Sequence, residues 1–335
     1  MRVLRDFVAV LVVCASIGLP AEAEVTTLTV GRTPTLSQLP IYVLQGENLV
    51  EKHARAAGLG ELKVKYVDVA GGAVLNDMLL SGTMQIATGG VPPFLILWSR
   101  AAGSRSEVKA IAAVGGTPST LYTRDPNVKS IRDLGPHDRI SVAGVKSSQV
   151  AILLQMAAAD AFGDEAYAKL DPLTVALKDA DAVAQMKSGK GELTCHFTYD
   201  PYRAAYAGDP AIHAILQSRD VLGGVGTVTV AYATSEFQSR NPKLVAAYFA
   251  ALQEADQIIR NDPAQAARDF KAYAKSAMPA AELEHLIQQP DAQYSVTPVA
   301  VSRIAAFMHR IGTIKAAPAG MKDLFFTEGN AASGS

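Results

Sequence analysis

A chain of 335 residues is long enough for two domains of about 150 residues each. With 31 Lys and Arg against 32 Asp and Glu, the net charge of −1 gives no electrostatic basis for holding nucleic acid or an anionic membrane surface. A hydrophobic content of 49% excludes disorder as the main state, and two cysteines exclude a disulfide framework.

At the N-terminus, Arg2 and Arg5 precede the apolar run Phe7 to Leu19, and Pro20-Ala21-Glu22-Ala23 supplies a small-x-small pattern before Glu24. This reads as a secretory signal cleaved after Ala23, because the run is too short for the roughly 20 residues that span a bilayer. A lipoprotein anchor at Cys14 is disfavoured, since Val13 stands where a small residue is needed. After cleavage Cys195 is the remaining cysteine, and a lone thiol of this kind is expected to be buried and inert.

In chain order, Leu28-Thr29-Val30 reads as a strand closed by Arg32-Thr33-Pro34-Thr35. A helix is predicted over Leu39–Gln45, with Pro40 in its first turn. Leu62–Val69 alternates with period two and reads as a strand. Gly71-Gly72 breaks it, and Ala73–Leu80 is helical in pattern. Met84–Thr88 is a short strand, after which Gly89-Gly90 turns the chain into a helix starting at Pro92-Pro93.

Val108–Val114 is a further strand, and the same rhythm then restarts. The strand Ile140–Ala143 leads through Gly144–Ser148 into the apolar helix Val150–Phe162. Leu173–Leu177, the helix Ala180–Lys187 and the strand Leu193–Phe197 follow. Val225–Tyr232 is one more strand, the pattern is helical from there to Lys315, and Gly329–Ser335 reads as a frayed tail. Strands alternating with helices in two blocks indicate an α/β fold of two units with a helical C-terminal region. There is no short repeat.

Signatures of catalysis are mostly missing: no G-x-S-x-G, H-E-x-x-H, C-x-x-C or phosphate-binding G-x-x-x-x-G-K-[ST] occurs. Gly223-Gly224-Val225-Gly226 lacks the third glycine of a dinucleotide fingerprint and precedes a strand, so it reads as a flexible connection. The six histidines show no metal-ligand spacing, so no metal and no cofactor are expected. Two helix starts preceded by small polar residues, Thr88-Gly89-Gly90 and Lys146-Ser147-Ser148-Gln149, are candidate anion seats through their free amides and the helix dipole. Simple capping, for which Ser147 is suited, accounts for the second one equally well.

Several segments together resemble the exported substrate-binding proteins of ABC importers, the nitrate, sulfonate and taurine type that also includes pyrimidine-precursor binders. They are Leu39-Pro40-Ile41-Tyr42-Val43 with Asn48–His53, set against an opening that continues in a more extended stretch, and Gly71-Gly72 with Leu80-Ser81-Gly82-Thr83-Met84-Gln85-Ile86-Ala87, where Gln85 replaces the usual Asp. Ser130-Ile131-Arg132-Asp133-Leu134 before Arg139-Ile140-Ser141-Val142 follows the same order, and Tyr199-Asp200-Pro201-Tyr202 stands where the family has Glu-Pro.

The resemblance implies a type II periplasmic binding fold. Lobe one would comprise 24–116 plus 223–335 and lobe two 117–222, with Gly115-Gly116-Thr117-Pro118 and Gly223-Gly224 as hinge strands. It implies a periplasmic, monomeric, non-enzymatic receptor whose partners are a small-molecule ligand and a membrane permease. Candidate ligand contacts, at the loops after strands where open α/β sheets bind ligands, are Arg32, Thr35, Gly71, Gly72, Thr88, Gly89, Gly90, Thr117, Ser119, Lys146, Ser147, Ser148, Gln149, Tyr199 and Asp200.

Arg32 or Lys146 would pair with an organic anion such as a sulfonate or carboxylate. Alternatively Tyr199 and Tyr202, with Asp200 and His196, would suit a neutral heteroaromatic. The tyrosines are also accounted for by ordinary lobe packing, and Asp200 favours a cationic or hydrogen-bond-donating ligand group. The remaining alternative is an enzyme on the same fold, similar to the pyrimidine synthases, which would need a reactive lysine.

Overall fold

The computed structural model of the chain describes residues 24–69 and 71–331. The expected export signal lies outside the described residues. The elements run β1 (Thr27–Arg32), α1 (Leu39–Gly46), α2 (Leu49–Ala56), β2 (Lys63–Asp68), α3 (Gly72–Leu80), β3 (Ile86–Gly90), α4 (Val91–Ala101), β4 (Val108–Gly116), β5 (Ser119–Thr123), β6 (Ile140–Val142), α5 (Gln149–Phe162), β7 (Thr174–Ala176) and α6 (Asp179–Ser188). They continue with β8 (Cys195–Tyr199), β9 (His213–Gln217), α7 (Ser218–Leu222), β10 (Thr229–Thr234), α8 (Ser235–Arg240), α9 (Pro242–Asn261), α10 (Pro263–Tyr273), α11 (Ala280–Ile287), β11 (Gln293–Tyr294), α12 (Val301–Arg310), α13 (Met321–Leu324) and α14 (Thr327–Ala331).

The strands form two sheets, ordered β11-β4-β10-β3-β1-β2 and β7-β6-β8-β5-β9. In the first, β1 runs parallel to β2 and β3, while β10 is antiparallel to both β3 and β4. In the second, β6 runs parallel to β7 and β8, and β5 is antiparallel to β8 and β9. The chain passes between the sheets twice, from β4 through Thr117-Pro118 into β5, and from α7 through residues 223–228 into β10. The two passages lie side by side: Val228 N–H donates to the Gly115 carbonyl at 2.9 Å. A Cβ on Gly116 would run into the Gly226 carbonyl, so glycine permits this approach. On the return, Gly223 (φ 72°) and Gly224 (φ 154°) hold left-handed backbone that few other residues adopt.

Local sequence explains most boundaries. Leu28 and Val30 of β1 are fully buried between more exposed threonines, the alternation a pleated strand requires. Pro263 opens α10 behind Asp262, whose Oδ1 accepts from Gln265 N–H at 2.9 Å. One apolar cluster, including Leu39, Tyr42, Leu244, Tyr248 and Phe270, fills one face of the first sheet. A second runs from Phe94, Trp98 and Phe307 through Val150 and Leu154 to Leu121, Ile140 and Phe197, joining both sheets. Each such fully buried large side chain contributes roughly 1.5–3 kcal/mol.

Five readings of the sequence are corrected here. Asn48–His53, set against a more extended stretch, begins α2, with Asn48 in left-handed backbone ahead of it. The strands β5 and β9 follow turn-forming residues and lie outside the strands read from the sequence, and β11 interrupts the stretch to Lys315 expected to be helical. The strand expected from Val225 begins at Thr229, since residues 225–228 serve the return passage: Thr227 N–H donates to Val299 O and Val228 N–H to Gly115 O. Gly329, placed in a frayed tail, lies in α14 with its bare Cα against the Ile111 carbonyl of β4. Among the described residues no helix is long and apolar enough to cross a membrane.

Candidate functional site

The C-terminal ends of β1 and β3 face the C-terminal end of β8 across the two passages. The link is direct, because Leu36 N–H donates to the Asp200 carbonyl at 3.1 Å.

On the first-sheet side, Arg32 ends β1 with only 2% exposure. Its Nε donates to Asp68 Oδ1 at 2.8 Å, and its guanidinium carbon lies 3.9 Å from the Tyr42 ring centroid and 5.1 Å from that of Tyr66. Its Nη1 has no partner. Beyond it, Gln38 ties the strand ends together. Its Oε1 accepts from Thr33 N–H at 3.1 Å and from the Thr88 hydroxyl at 2.9 Å. Its Nε2 donates to Thr33 Oγ1 at 2.6 Å and to the Thr88 carbonyl at 3.1 Å. Thr88 also reaches the Gly31 carbonyl, so its side chain is consumed by the scaffold. Thr35 meets Ser37, which meets Thr229 of β10, each hydroxyl pair at 3.0 Å.

The anion seat expected after Thr88-Gly89-Gly90 does not form. Val91 N–H donates to Val228 O at 3.0 Å, and Pro92 and Pro93 carry no N–H, so the first turn of α4 has no amide to offer. Gly89 lies against the Tyr232 hydroxyl, which donates to Asn76 Oδ1 at 2.6 Å. Gly71 and Gly72 start α3 beside α4, where a Cβ on Gly72 would strike Pro93.

On the second-sheet side, Ser119 and Tyr199 are register partners in β5 and β8, and Ser119 N–H donates to Ser218 Oγ at 3.0 Å. Asp200 follows with Oδ2 held by Arg203, at 3.1 Å from Nε and 2.8 Å from Nη2. Burial raises the Asp200 carboxyl above its usual range against the pull of Arg203. Burial also pushes the Tyr199 hydroxyl far up, reinforced by Asp179. Gln149, at the start of α5, reaches back with Nε2 to the Thr227 carbonyl at 3.4 Å.

Lys146 does not join this group. It is 66% exposed and its Nζ lies 3.9 Å from Asp171 Oδ2. Ser148, with its Oγ accepting from Ala151 N–H at 3.4 Å, is the cap of α5, while Ser147 sits in the turn before it with its N–H on the Gly144 carbonyl.

The groups that converge are thus Arg32, Thr117, Ser119, Gln149, Tyr199 and Asp200. Each carries a buried polar atom without a partner: Nη1, Oγ1, Oγ, Oε1, OH and Oδ1 respectively. Fifteen such atoms occur among the described residues, and these six are a grouping of them around one junction. Tyr294, on β11 opposite Gly115, adds a seventh through its hydroxyl.

Sequence reasoning missed Gln38, Tyr294 and Asp179. Asp179 opens α6; its Oδ1 accepts from Thr198 and meets His196 Nε2 at 3.0 Å, and the other ring nitrogen of His196 meets Tyr206 OH at 2.7 Å. Only Asp179 left a signal, as the acidic first residue of a helix. Asp125, His137 and Asp138 also converge, with ligand atoms within 4.8 Å. They lie at the opposite end of the second sheet, where Asp138 is already occupied by Gly135 N–H at 2.8 Å and the Thr194 hydroxyl at 2.9 Å.

Several solved structures share this fold. The periplasmic aliphatic sulphonate-binding protein SsuA of Escherichia coli superposes with a TM-score of 0.66 at 17% identity, covering 91% of this chain and 93% of its own. The periplasmic nitrate-binding protein NrtA of Synechocystis gives 0.68 at 14%, covering 92% and 86%. A Candida albicans protein described as a new family with the generic periplasmic binding protein structural fold gives 0.65 at 15%, covering 92% and 96%. The fold here is therefore that of the periplasmic binding proteins. No curated protein matches the sequence significantly. A family model matches residues 21–274, and by that match the chain belongs to the NMT1-like family.

Proposed function

We propose that the protein is an exported solute-binding receptor of the ABC-importer type, with lobe one formed by residues 24–116 and 223–335 and lobe two by 117–222. The single observation that carries this reading is the set of buried, unpartnered polar atoms on Arg32, Thr117, Ser119, Gln149, Tyr199 and Asp200, gathered where the two sheets face each other. The structural neighbours support it, since they include sulphonate-binding and nitrate-binding proteins. A periplasmic location rests on the same neighbours and on the Arg2 to Ala23 pattern.

The mechanism follows from the two passages. With the lobes apart, the junction is wet and its polar atoms bond to water. A solute docked on one lobe gains the other lobe's groups only on closure, and so shifts the population toward the closed form. The Leu36 to Asp200 hydrogen bond and the Gln149 to Thr227 bond are contacts of that closed form. The importer's permease then reads the paired lobe surfaces. A micromolar solute needs about −8 kcal/mol, within reach of several hydrogen bonds in a desolvated cleft.

Of the groups expected to hold an organic anion, Lys146 is turned to Asp171, Arg32 is paired with Asp68, and the first turn of α4 has no free amide. The enzyme alternative gains nothing from Cys195, which is fully buried at the start of β8 with its thiol pushed up to about 11.

Small-angle scattering before and after removal of co-purifying solute tests the receptor reading. A larger radius of gyration after removal is expected. An unchanged radius together with no solute released on denaturation refutes it.

A further inference from the structure

The unpartnered atoms at the junction include two that only accept and one that only donates. Gln149 Oε1, and Asp200 Oδ1 while the carboxyl is ionised, can only accept, and the Gln149 assignment is fixed because its Nε2 faces the Thr227 carbonyl. Four hydroxyls, on Thr117, Ser119, Tyr199 and Tyr294, can do either. A single atom, Arg32 Nη1, can only donate.

Charge leans the same way. Arg32 is paired with Asp68 and Arg203 with Asp200, so neither guanidinium is free to neutralise an incoming anion, and Asp200 offers its second oxygen as an acceptor already balanced in charge. Two further carboxylates lie close by. Asp179, 23% exposed by its side chain, lies among Tyr199, Tyr202 and Tyr206, and adds to burial in opposing the ionisation of all three hydroxyls. Asp291 faces both Asp200 and Arg203. Among the described residues Asp179 meets the buried His196 at 3.0 Å and makes no ion pair with Lys or Arg, and Asp291 makes no ion pair. The Tyr42 ring is already covered by the Arg32 guanidinium, while Tyr199 and Tyr202 lie beside Asp179 with rings of the kind that attract cations.

Resting on the receptor reading above, we propose that the solute carries a cationic nitrogen, an ammonium or amidinium whose N–H donors meet Asp200 Oδ1 and Gln149 Oε1 while Asp179 and Asp291 supply the opposing charge. The hydroxyls of Ser119, Thr117 and Tyr199 complete its shell as donors or acceptors. A sulfonate or nitrate at this place would set its oxygens against Asp200 and Gln149, with neutral hydroxyls and one guanidinium nitrogen to receive them.

The test pairs probes of like shape and opposite charge: benzamidine against benzoate and ethanolamine against glycolate, with methanesulfonate and nitrate as further anions. Binding to the purified, solute-free protein is measured by calorimetry at low ionic strength. The expected result is binding of a cationic member, weakened at least about tenfold in Asp179→Asn or in the half-exposed Asp291→Asn. Asp291→Asn keeps the test valid if Asp179→Asn fails to fold.

Tighter binding of an anionic member overturns the charge assignment and leaves the receptor reading standing. Cation binding that neither variant weakens overturns the assigned groups. If no probe binds, mass spectrometry of the solute released from protein purified without refolding decides. A cationic nitrogen in it supports the proposal, and a solute without one overturns it. Release of no solute at all overturns the receptor reading as well.

Discussion

Replacing Gln38 by Leu removes the node that joins the ends of β1 and β3. Four hydrogen bonds disappear, to Thr33 N–H, Thr33 Oγ1, Thr88 O and the Thr88 hydroxyl. At a net of about 1 kcal/mol each, their loss amounts to about 4 kcal/mol, and the Thr33 amide and Thr88 carbonyl become candidates for uncompensated desolvation. The apolar leucine, in a side-chain site only 1% exposed, recovers part of that. The expected destabilisation is about 2–4 kcal/mol, read by urea unfolding of solute-free protein followed by far-UV circular dichroism.

Gln38→Glu separates shape from hydrogen bonding. It keeps an acceptor for Thr33 N–H and Thr88 but sets its second oxygen against the Thr88 carbonyl. Ionisation is disfavoured there, so the folded-state pKa of the introduced carboxyl rises above the unfolded value of about 4.3. Stability of that variant is then highest below about pH 4 and is lost as pH rises through the raised value, relative to the parent. A Gln38→Leu protein within about 1 kcal/mol of the parent, or a Gln38→Glu protein with no such relative loss, would refute the reasoning.

Four further outcomes are expected. Cys195, buried and with its thiol pushed up to about 11, should resist iodoacetamide at pH 8 in the native protein and react once unfolded; rapid stoichiometric native labelling contradicts this. Asp256 of α9 is raised to about 7 by burial, so its ionisation costs stability as pH climbs from about 4 through 7. Asp256→Asn should therefore gain about 1–3 kcal/mol at pH 8 and little at pH 4, and parallel stability curves for the two proteins would sink the assignment. Gly116→Ala, which drives a methyl group into the Gly226 carbonyl, should cost about 1–3 kcal/mol in chemical denaturation, and a neutral result would show that the two passages are not closely apposed. Tyr199→Phe deletes a buried hydroxyl that has no partner, so folding stability should stay within about 0.5 kcal/mol or rise while co-purifying solute decreases; a large loss of stability would mean that the hydroxyl serves the scaffold.

What the sequence shows of this protein follows the range of each physical signal. Strand alternation, proline at a helix start and an apolar helical run act within a few residues, and they point respectively to β1, α4 and α5 from Leu28-Thr29-Val30, Pro92-Pro93 and Val150–Phe162. The same Pro92-Pro93 removes two first-turn amides by covalent structure alone, while the remaining Val91 N–H is taken up by Val228 only through the fold. Arg32 and Lys146 could be picked out as basic residues near strand ends, but their partners Asp68 and Asp171 are 36 and 25 positions away in the chain. Pairing across such separations is settled by the fold, so a count of basic residues overstates the positive charge a cleft can offer. Gln38 and Tyr294 illustrate the other limit. Neither stands in a motif, and each acquires its role when a helix start meets β3 or a two-residue strand meets β4. A ligand site assembled this way is best recognised by what remains unpaired after the chain has satisfied itself, and that remainder here holds two atoms that only accept against one that only donates.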